Sequence, residues 1–389
     1  MPTILTLTGL IPNIYAAFDK ISREKVGFIP AVSQDFSAER AALDQTIRSP
    51  VVGAMAAEDL TVTNVAASPP AQAVSFIDMT ISKARSVPFG LTAVEQKLPD
   101  GSTMDEINTN RVVQALRALT NEIEIDCYNE MHQKVSRGFG TSGTTPFGTA
   151  NDFSDAAGAL EILDENGAPD DDRHLVLGSA GIRNLRGRQA VLFKVNESGT
   201  DDLLRRGVLG QLEGFDVHQS AAIRNAVTAG TAAAATTNTA GYAIGATTIT
   251  LAVAGTGTFV AGDLVAFAGD SRKYLVTTGD TDVSNGGSIV IAEPGLLRAI
   301  PAAATAITLS AAATRNLFFH RSAIQLATRA PEMPEGGDAA DDVQVIMDPV
   351  SKIAYEFCIY RQKRQVRYEV NLSWGMKLIA PRHAGILLG

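Results

Sequence analysis

The chain has 389 residues, of which 45% are hydrophobic and 19% charged, and its formal net charge is −9. That composition excludes wholesale disorder and allows a sizeable core spread over two or three domains. The acidic balance argues against a general nucleic-acid binder, which needs clustered Lys and Arg to neutralise phosphates.

In chain order, residues 1–46 carry a mixed pattern broken by Pro12 and Pro30. Short amphipathic helices are predicted over 11–25 and 37–44. The segment is too small for a core of its own and reads as an arm leaning on something else. Its first residues lack the basic start and cleavage site of a signal peptide. Residues 47–90 form a long two-stranded excursion, outgoing over 47–55 and returning over 73–87. On the return Ile77, Met79 and Ile81 point one way, and Asp78, Thr80 and Ser82 the other. A hairpin alone is marginal in water, so this one is expected to lie on another surface, that of a neighbouring subunit.

Residues 103–138 read as one long helix. Ser102 and Thr103 can cap it, with Glu106 completing a capping box. Val112, Leu116, Leu119, Ile123, Cys127, Met131 and Val135 make one stripe at helical spacing. A rod of roughly 50 Å is expected to lie across a sheet, with Gly138 marking its end. A coiled coil is the alternative, but the stripe covers too few heptads. Gly138, Gly140 and Gly143 match G-x-G-x-x-G. The dinucleotide fingerprint needs a strand before it and a helix after it, so a flexible joint is expected instead.

Residues 147–222 read as a compact α/β unit: helix 151–163, strand 174–177, helix 183–192 and strand 210–218. A nucleophile elbow would need Gly where Leu177 stands, so Ser179 is taken as a helix cap. From 223 to 315 the composition shifts to Ala, Thr and Gly. Short runs at 247–253, 264–268, 273–277, 288–292 and 306–309, separated by turn signals, predict an inserted β-barrel or sandwich. Residues 226–262 hold no charge, but their spread of Thr and Gly argues for strands, not a membrane span. The helical pattern is expected to resume at Asn316, with 317–328 helical or extended and 331–342 an acidic loop. Strands at 343–347, 353–360 and 365–374 are the candidates for the sheet beneath the long helix.

The chemistry is sparse. Cys127 and Cys358 have no metal or redox spacing, and the stripe makes Cys127 a buried apolar residue, compatible with a reducing compartment. Five histidines show no zinc spacing. Around Asp280 and Asp282 a calcium-like loop has its Gly one place late and lacks the final Glu. Asp170-Asp171-Asp172 reads as a charged loop. Arg361, Lys363, Arg364 and Arg367 form the strongest basic cluster, and a shared strand parity would make it a stripe that meets phosphate or, the favoured reading, acidic groups of a neighbouring subunit. No catalytic constellation, cofactor site or metal site is expected. The inter-subunit contact candidates are Ile77, Met79, Ile81, Lys83, Arg85, Arg361, Lys363, Arg364 and Arg367.

Arm, hairpin, long helix, α/β unit and late strands together resemble the major capsid (coat) proteins of tailed bacteriophages, in the branch with an inserted β-barrel domain. The residues closest in pattern are 214–218 and 316–323, which flank the insertion, then 348–353, Gly375 and Pro381. The resemblance implies an α+β fold: arm 1–46, hairpin loop 47–90, peripheral domain 91–146, axial domain 147–222, inserted barrel 223–315, axial return 316–342 and C-terminal strands 343–389. It implies self-assembly as hexamers and pentamers into an icosahedral shell around double-stranded DNA, touched only weakly. A separate scaffolding protein and a portal protein would be partners. Assembly in the host cytoplasm, a place in the virion and no membrane contact follow. Some relatives crosslink through a hairpin lysine; none lies between Arg48 and Lys83, so no crosslink is expected. The alternatives are a phage tail or decoration protein, or an α/β enzyme built around Ser179, His174 and Asp216.

Overall fold

The computed structural model describes residues 26–51, 75–92, 101–189, 209–348 and 351–389, together with 14, 15, 17 and 192. The architecture is α+β, with few helices set against two large sheets. Helix α1 (Gly101–Met131) is 31 residues long, or roughly 46 Å at the usual rise. Every stripe residue from Val112 to Met131 is buried, and so is Val135 just past the end. The capping-box side chains fall outside the described ones. The helix stops seven residues before Gly138, which instead sits in strand β5 (Arg137–Phe139). A Cβ there would come within 2.8 Å of Leu264, so this glycine serves close packing and not a helix stop.

The stripe of α1 lies on the first sheet. Its strands are β1 (Ser33–Ala41), β4 (Lys83–Thr92), β15 (Ile324–Pro331), β16 (Asp342–Met347), β17 (Ala354–Gln362) and β18 (Gln365–Leu378). The order is β1-β15-β18-β17-β16, with β4 also paired to β18. The late strands thus lie where the sequence placed them, under the helix. Val366, Tyr368, Val370, Leu372 and Trp374 alternate along β18 and are all buried in the core shared with α1. Polar contacts fix the helix on this sheet: Trp374 Nε1 donates to Asp126 at 2.9 Å, and Thr120 Oγ1 lies 3.0 Å from the Tyr355 hydroxyl.

One helical expectation becomes a strand, and the segment expected to be helical or extended is extended. Residues 33–41 are β1, parallel to β15, although Ala, Glu and Arg favour helix over 38–42; sheet pairing overrides local propensity. Residues 315–331 are β14 (Arg315–His320) and β15, separated by a 3-10 turn at Arg321–Ala323. A continuous apolar run has no period that separates a buried strand from a buried helix. The helix expected over 11–25 falls largely outside the described residues.

Glu124 ties the arm to the body. Its carboxylate is 3% exposed and accepts hydrogen bonds from the Gly27, Phe28 and Ile29 amides, the shortest at 2.7 Å. Ser220 Oγ also donates to it at 2.6 Å. Burial pushes this carboxyl up, and the four donors pull it back.

The second sheet runs, in order, β13 (Ile307–Leu309), β10 (Leu264–Phe267), β11 (Lys273–Thr278), β5, β19 (Ala384–Leu388), β14, β6 (Arg173–Leu177), β8 (Phe215–Gln219) and β7 (Gln211–Leu212). Strand β19, unforeseen in the sequence, is wholly buried between β14 and β5. Helices α2 (Ser154–Glu165) and α3 (Ser179–Arg188) follow the predicted order. Ser179 is not the cap of α3. Gly178 holds that position, and Ser179 Oγ accepts from Gln219 Nε2 at 3.1 Å.

The Ala/Thr/Gly segment carries the five expected strands: β9 (Thr248–Leu251), β10 (Leu264–Phe267), β11 (Lys273–Thr278), β12 (Gly287–Ile291) and β13 (Ile307–Leu309). They enclose a core of their own, including Ile249, Phe259, Tyr274 and Ile289. Backbone bonds from Thr237 to Thr305 (2.9 Å) and from Asn238 to Thr250 (3.0 Å) link the β13 side to the β9 side. The segment is also joined to the body, because β11 pairs with β5.

Glu165 reinforces that joint. It bonds Arg137 of β5 at 2.6 Å and Arg272 beside β11 at 2.6 Å. Arg272, offset by some burial and helped by Arg137, holds the Glu165 carboxyl down at about 2, against 4.5 for the free group. A depressed native pKa stabilises above the unfolded value and loses that contribution as pH falls toward the native one. Glu165→Gln is therefore expected to lower the thermal midpoint at pH 7 and to flatten its decline between pH 4.5 and about 2. Thermal scans of both proteins across that range check it.

Candidate assembly surface

The hairpin is described at its stem. Strand β2 (Thr46–Val51) pairs antiparallel with β3 (Ser75–Thr80), from Thr46 opposite Thr80 to Val51 opposite Ser75. Six pairs extend about 20 Å. The tip, residues 52–74, falls outside the described residues. The alternation holds: Met79 and Ile81 are buried, while Asp78, Thr80 and Ser82 are exposed. Met79 and Ile81 pack with Ala41, Ala327 and Ile47 of the same chain, at the root. Further out, Ile77 is half-buried and Phe76 is 55% exposed, with Arg48 over its ring.

Lys83 and Arg85, at the start of β4, face α1. Lys83 Nζ lies 2.8 Å from Asp126 and 3.1 Å from Glu122, and Arg85 Nε lies 3.1 Å from Glu122. Burial would lower the Lys83 pKa, but the two carboxylates raise it overall. Both cations are partly solvated, so these pairs are worth about 0–1 kcal/mol each and orient more than they stabilise. The close approach of Gly375 to the hairpin root was not foreseen: a Cβ there would lie 2.1 Å from the Thr80 carbonyl oxygen. No sequence period signals such a contact.

The basic cluster is split by its turn. In the β17–β18 register Arg361 stands opposite buried Val366, and Tyr360 opposite Arg367. Cross-strand partners share a face and neighbours alternate, so Arg361 and Arg367 lie on opposite faces. The single stripe expected from parity is not formed. Arg361 pairs with Asp341 at 3.3 Å and Arg367 with Glu369 at 2.5 Å. Lys363 and Arg364 project at the turn and are exposed. Strand β16 ends the first sheet among the described residues, and its Val345 and Met347 are each 52% exposed.

The enzyme alternative needs Ser179, His174 and Asp216 in one constellation. His174 instead bonds His218 and Asp172, and Ser179 bonds Gln219. The hydrogen bonds of Ser179 and His174 thus run to these other partners.

No protein-family model matches the chain, and no curated protein matches it by sequence. Solved structures do match. A chain in the capsid of cyanophage P-SCSP1u is 11% identical, with a TM-score of 0.49 over 94% of this chain and 88% of that one. A chain in the mature capsid of bacteriophage PhiM1 is 10% identical, with a TM-score of 0.44 over 93% and 86%. One in a virus-like particle from Pyrococcus furiosus is 8% identical, with a TM-score of 0.41 over 97% and 96%. The chain is similar to subunits of these shells. At such identities the likeness concerns fold alone.

Proposed function

We propose that this chain is the major capsid protein of a tailed bacteriophage, a structural subunit without enzymatic activity. Copies assemble as hexamers and pentamers into an icosahedral shell around double-stranded DNA. The observation that carries this reading is the hairpin. Its root is packed on the body through Met79 and Ile81, while its stem continues outward with Phe76 exposed. A two-stranded ribbon of that length is marginal in water, so a neighbouring copy supplies the missing surface.

On this reading Ile77, Lys83, Arg85, Arg361, Lys363, Arg364 and Arg367 make contacts between subunits, and Met79 and Ile81 set the hairpin's exit. Residues 147–222 form the axial domain and 223–315 an inserted barrel domain, supported by its own core and its bridging backbone bonds. A separate scaffolding protein and a portal guide assembly in the host cytoplasm. The net charge of −9 suits an inner wall that touches DNA only weakly. With no lysine between Arg48 and Lys83, buried area rather than a covalent hairpin link holds the shell.

Deleting residues 56–71 tests the reading. The expected product is a soluble subunit with an unchanged circular dichroism spectrum that forms no closed shells in negative-stain microscopy. Normal shells from the deletion overturn the role given to the hairpin. Small closed rings from the intact chain would favour a tail or decoration protein.

A further inference from the structure

The histidines, scattered in sequence, include a pair that the shell reading leaves unused. Parallel pairing of β6 and β8 places His174 beside Asp216 and Val176 beside His218. His174 is 1% exposed. Its Nδ1 lies 3.1 Å from His218 Nε2, and its Nε2 lies 3.1 Å from Asp172 Oδ1. Arg321, from the 3-10 turn after β14, approaches from outside. Its Nη2 lies 3.1 Å from His174 Nε2, and its Nε lies 3.1 Å from Asp172 Oδ2.

His174 Nε2 meets a donor, the Arg321 guanidinium, and an acceptor, the Asp172 carboxylate, at the same 3.1 Å. The tautomer with the ring proton on Nδ1, donated to His218, leaves the Nε2 lone pair open toward both. In that tautomer the Nε2 lone pair and Asp172 Oδ1 converge from 3.1 Å apart, an arrangement that suits a shared cation. One ligand atom from each of Asp172, His174 and Asp216 lies within 4.8 Å of the others. Two ligands on a first-row divalent ion, each at about 2.0–2.2 Å, stand about 3–3.4 Å apart, close to the 3.1 Å between Asp172 and His174, and Asp216 has to close in from within 4.8 Å. Arg321 fills the cationic role from one side, on a side chain that is 42% exposed.

We propose that Asp172, His174 and Asp216 form a site for a first-row divalent cation, with Zn²⁺ favoured, which displaces the Arg321 guanidinium. The hydrogen bond from His174 Nδ1 to His218 fixes the ligating tautomer, as outer partners of metal-bound histidines commonly do. Water completes the coordination at the exposed Asp172 side. Mg²⁺, which demands oxygen ligands and dehydrates reluctantly, is a poor fit. The ion pins β6 to β8 and to the loop preceding β6. Neither D-x-H nor a distant Asp marks such a site in sequence, because the third ligand arrives only through strand pairing.

The test is calorimetric titration of the EDTA-stripped full chain with ZnCl₂ and MgCl₂, with thermal melts alongside. Zn²⁺ is expected to bind one site and raise the melting temperature, and Mg²⁺ at the same concentration to do neither. Asp216→Asn is expected to weaken Zn²⁺ binding at least about ten-fold, and His218→Ala about 10–100-fold. Arg321→Gln, on a solvated side chain, is expected to fold normally and tighten binding about two- to five-fold by removing the competing cation. An absence of Zn²⁺ binding overturns the proposal. So does binding that survives unchanged in Asp216→Asn, or that weakens in Arg321→Gln.

Discussion

Glu124→Ala is expected to cost the subunit about 3–5 kcal/mol of folding stability, the largest effect of any single substitution considered. The carboxylate satisfies three consecutive backbone amides of the arm and the Ser220 hydroxyl, all in a buried setting. Removing it leaves four donors without an acceptor where water does not reach, and each costs about 1–3 kcal/mol, partly recovered by relaxation. Glu124→Gln keeps one acceptor oxygen and is expected to fall between the two proteins. The loss spreads, because Glu124 joins three parts of the chain that no strand pairing unites at this point: the arm at 27–29, the long helix and the end of β8. Gly27 packs closely at this point, since a Cβ there would lie 2.9 Å from the Gln219 backbone. Urea denaturation measures the cost, and limited proteolysis shows whether the arm comes loose first. A midpoint within experimental error of the parent would show that the clip contributes nothing net.

Gly375→Ala is expected to abolish shell formation while leaving a folded subunit. The new methyl would stand 2.1 Å from the Thr80 oxygen, 2.8 Å from its carbonyl carbon and 2.9 Å from the Ile81 Cα. All three are backbone atoms, so no side chain can rotate to make space, and the hairpin root must shift by roughly 1 Å at a cost of about 1–3 kcal/mol. A stem of about 20 Å amplifies a small change of angle at its base into a larger displacement at its far end. The subunit core under α1 does not depend on that angle. Size-exclusion chromatography and negative-stain microscopy of the variant check the result, and a normal yield of shells would remove the hairpin's exit direction from the account.

The parts of this protein that were legible in the sequence share one property: their signal is periodic and local. The stripe from Val112 to Val135 repeats at 3.6 residues, and its members are buried as expected. The alternation at Ile77, Met79 and Ile81 repeats at two, and the inserted strands are bounded by their own turn glycines. Where a segment is buried on every side the period vanishes. That is why 317–328 reads equally as helix or strand, and why β19, with five consecutive buried residues, carries no strand period. Residues 37–44 misled in the opposite way, through strong helix formers that pairing with β15 overrode.

The candidate sites divide along the same line. Residue type and order determined the long helix, the hairpin stem, the five strands of the Ala/Thr/Gly segment and the lack of a metal or catalytic motif at any fixed spacing. Tertiary structure alone decided that Glu124 clips the arm, that Gly375 seats the hairpin, that Arg361 and Arg367 face apart, and that Asp172, His174 and Asp216 converge. Helix and strand periods are written within about ten residues, whereas pairing register joins positions whose separation the chain leaves free, and only the packed fold selects one register among many.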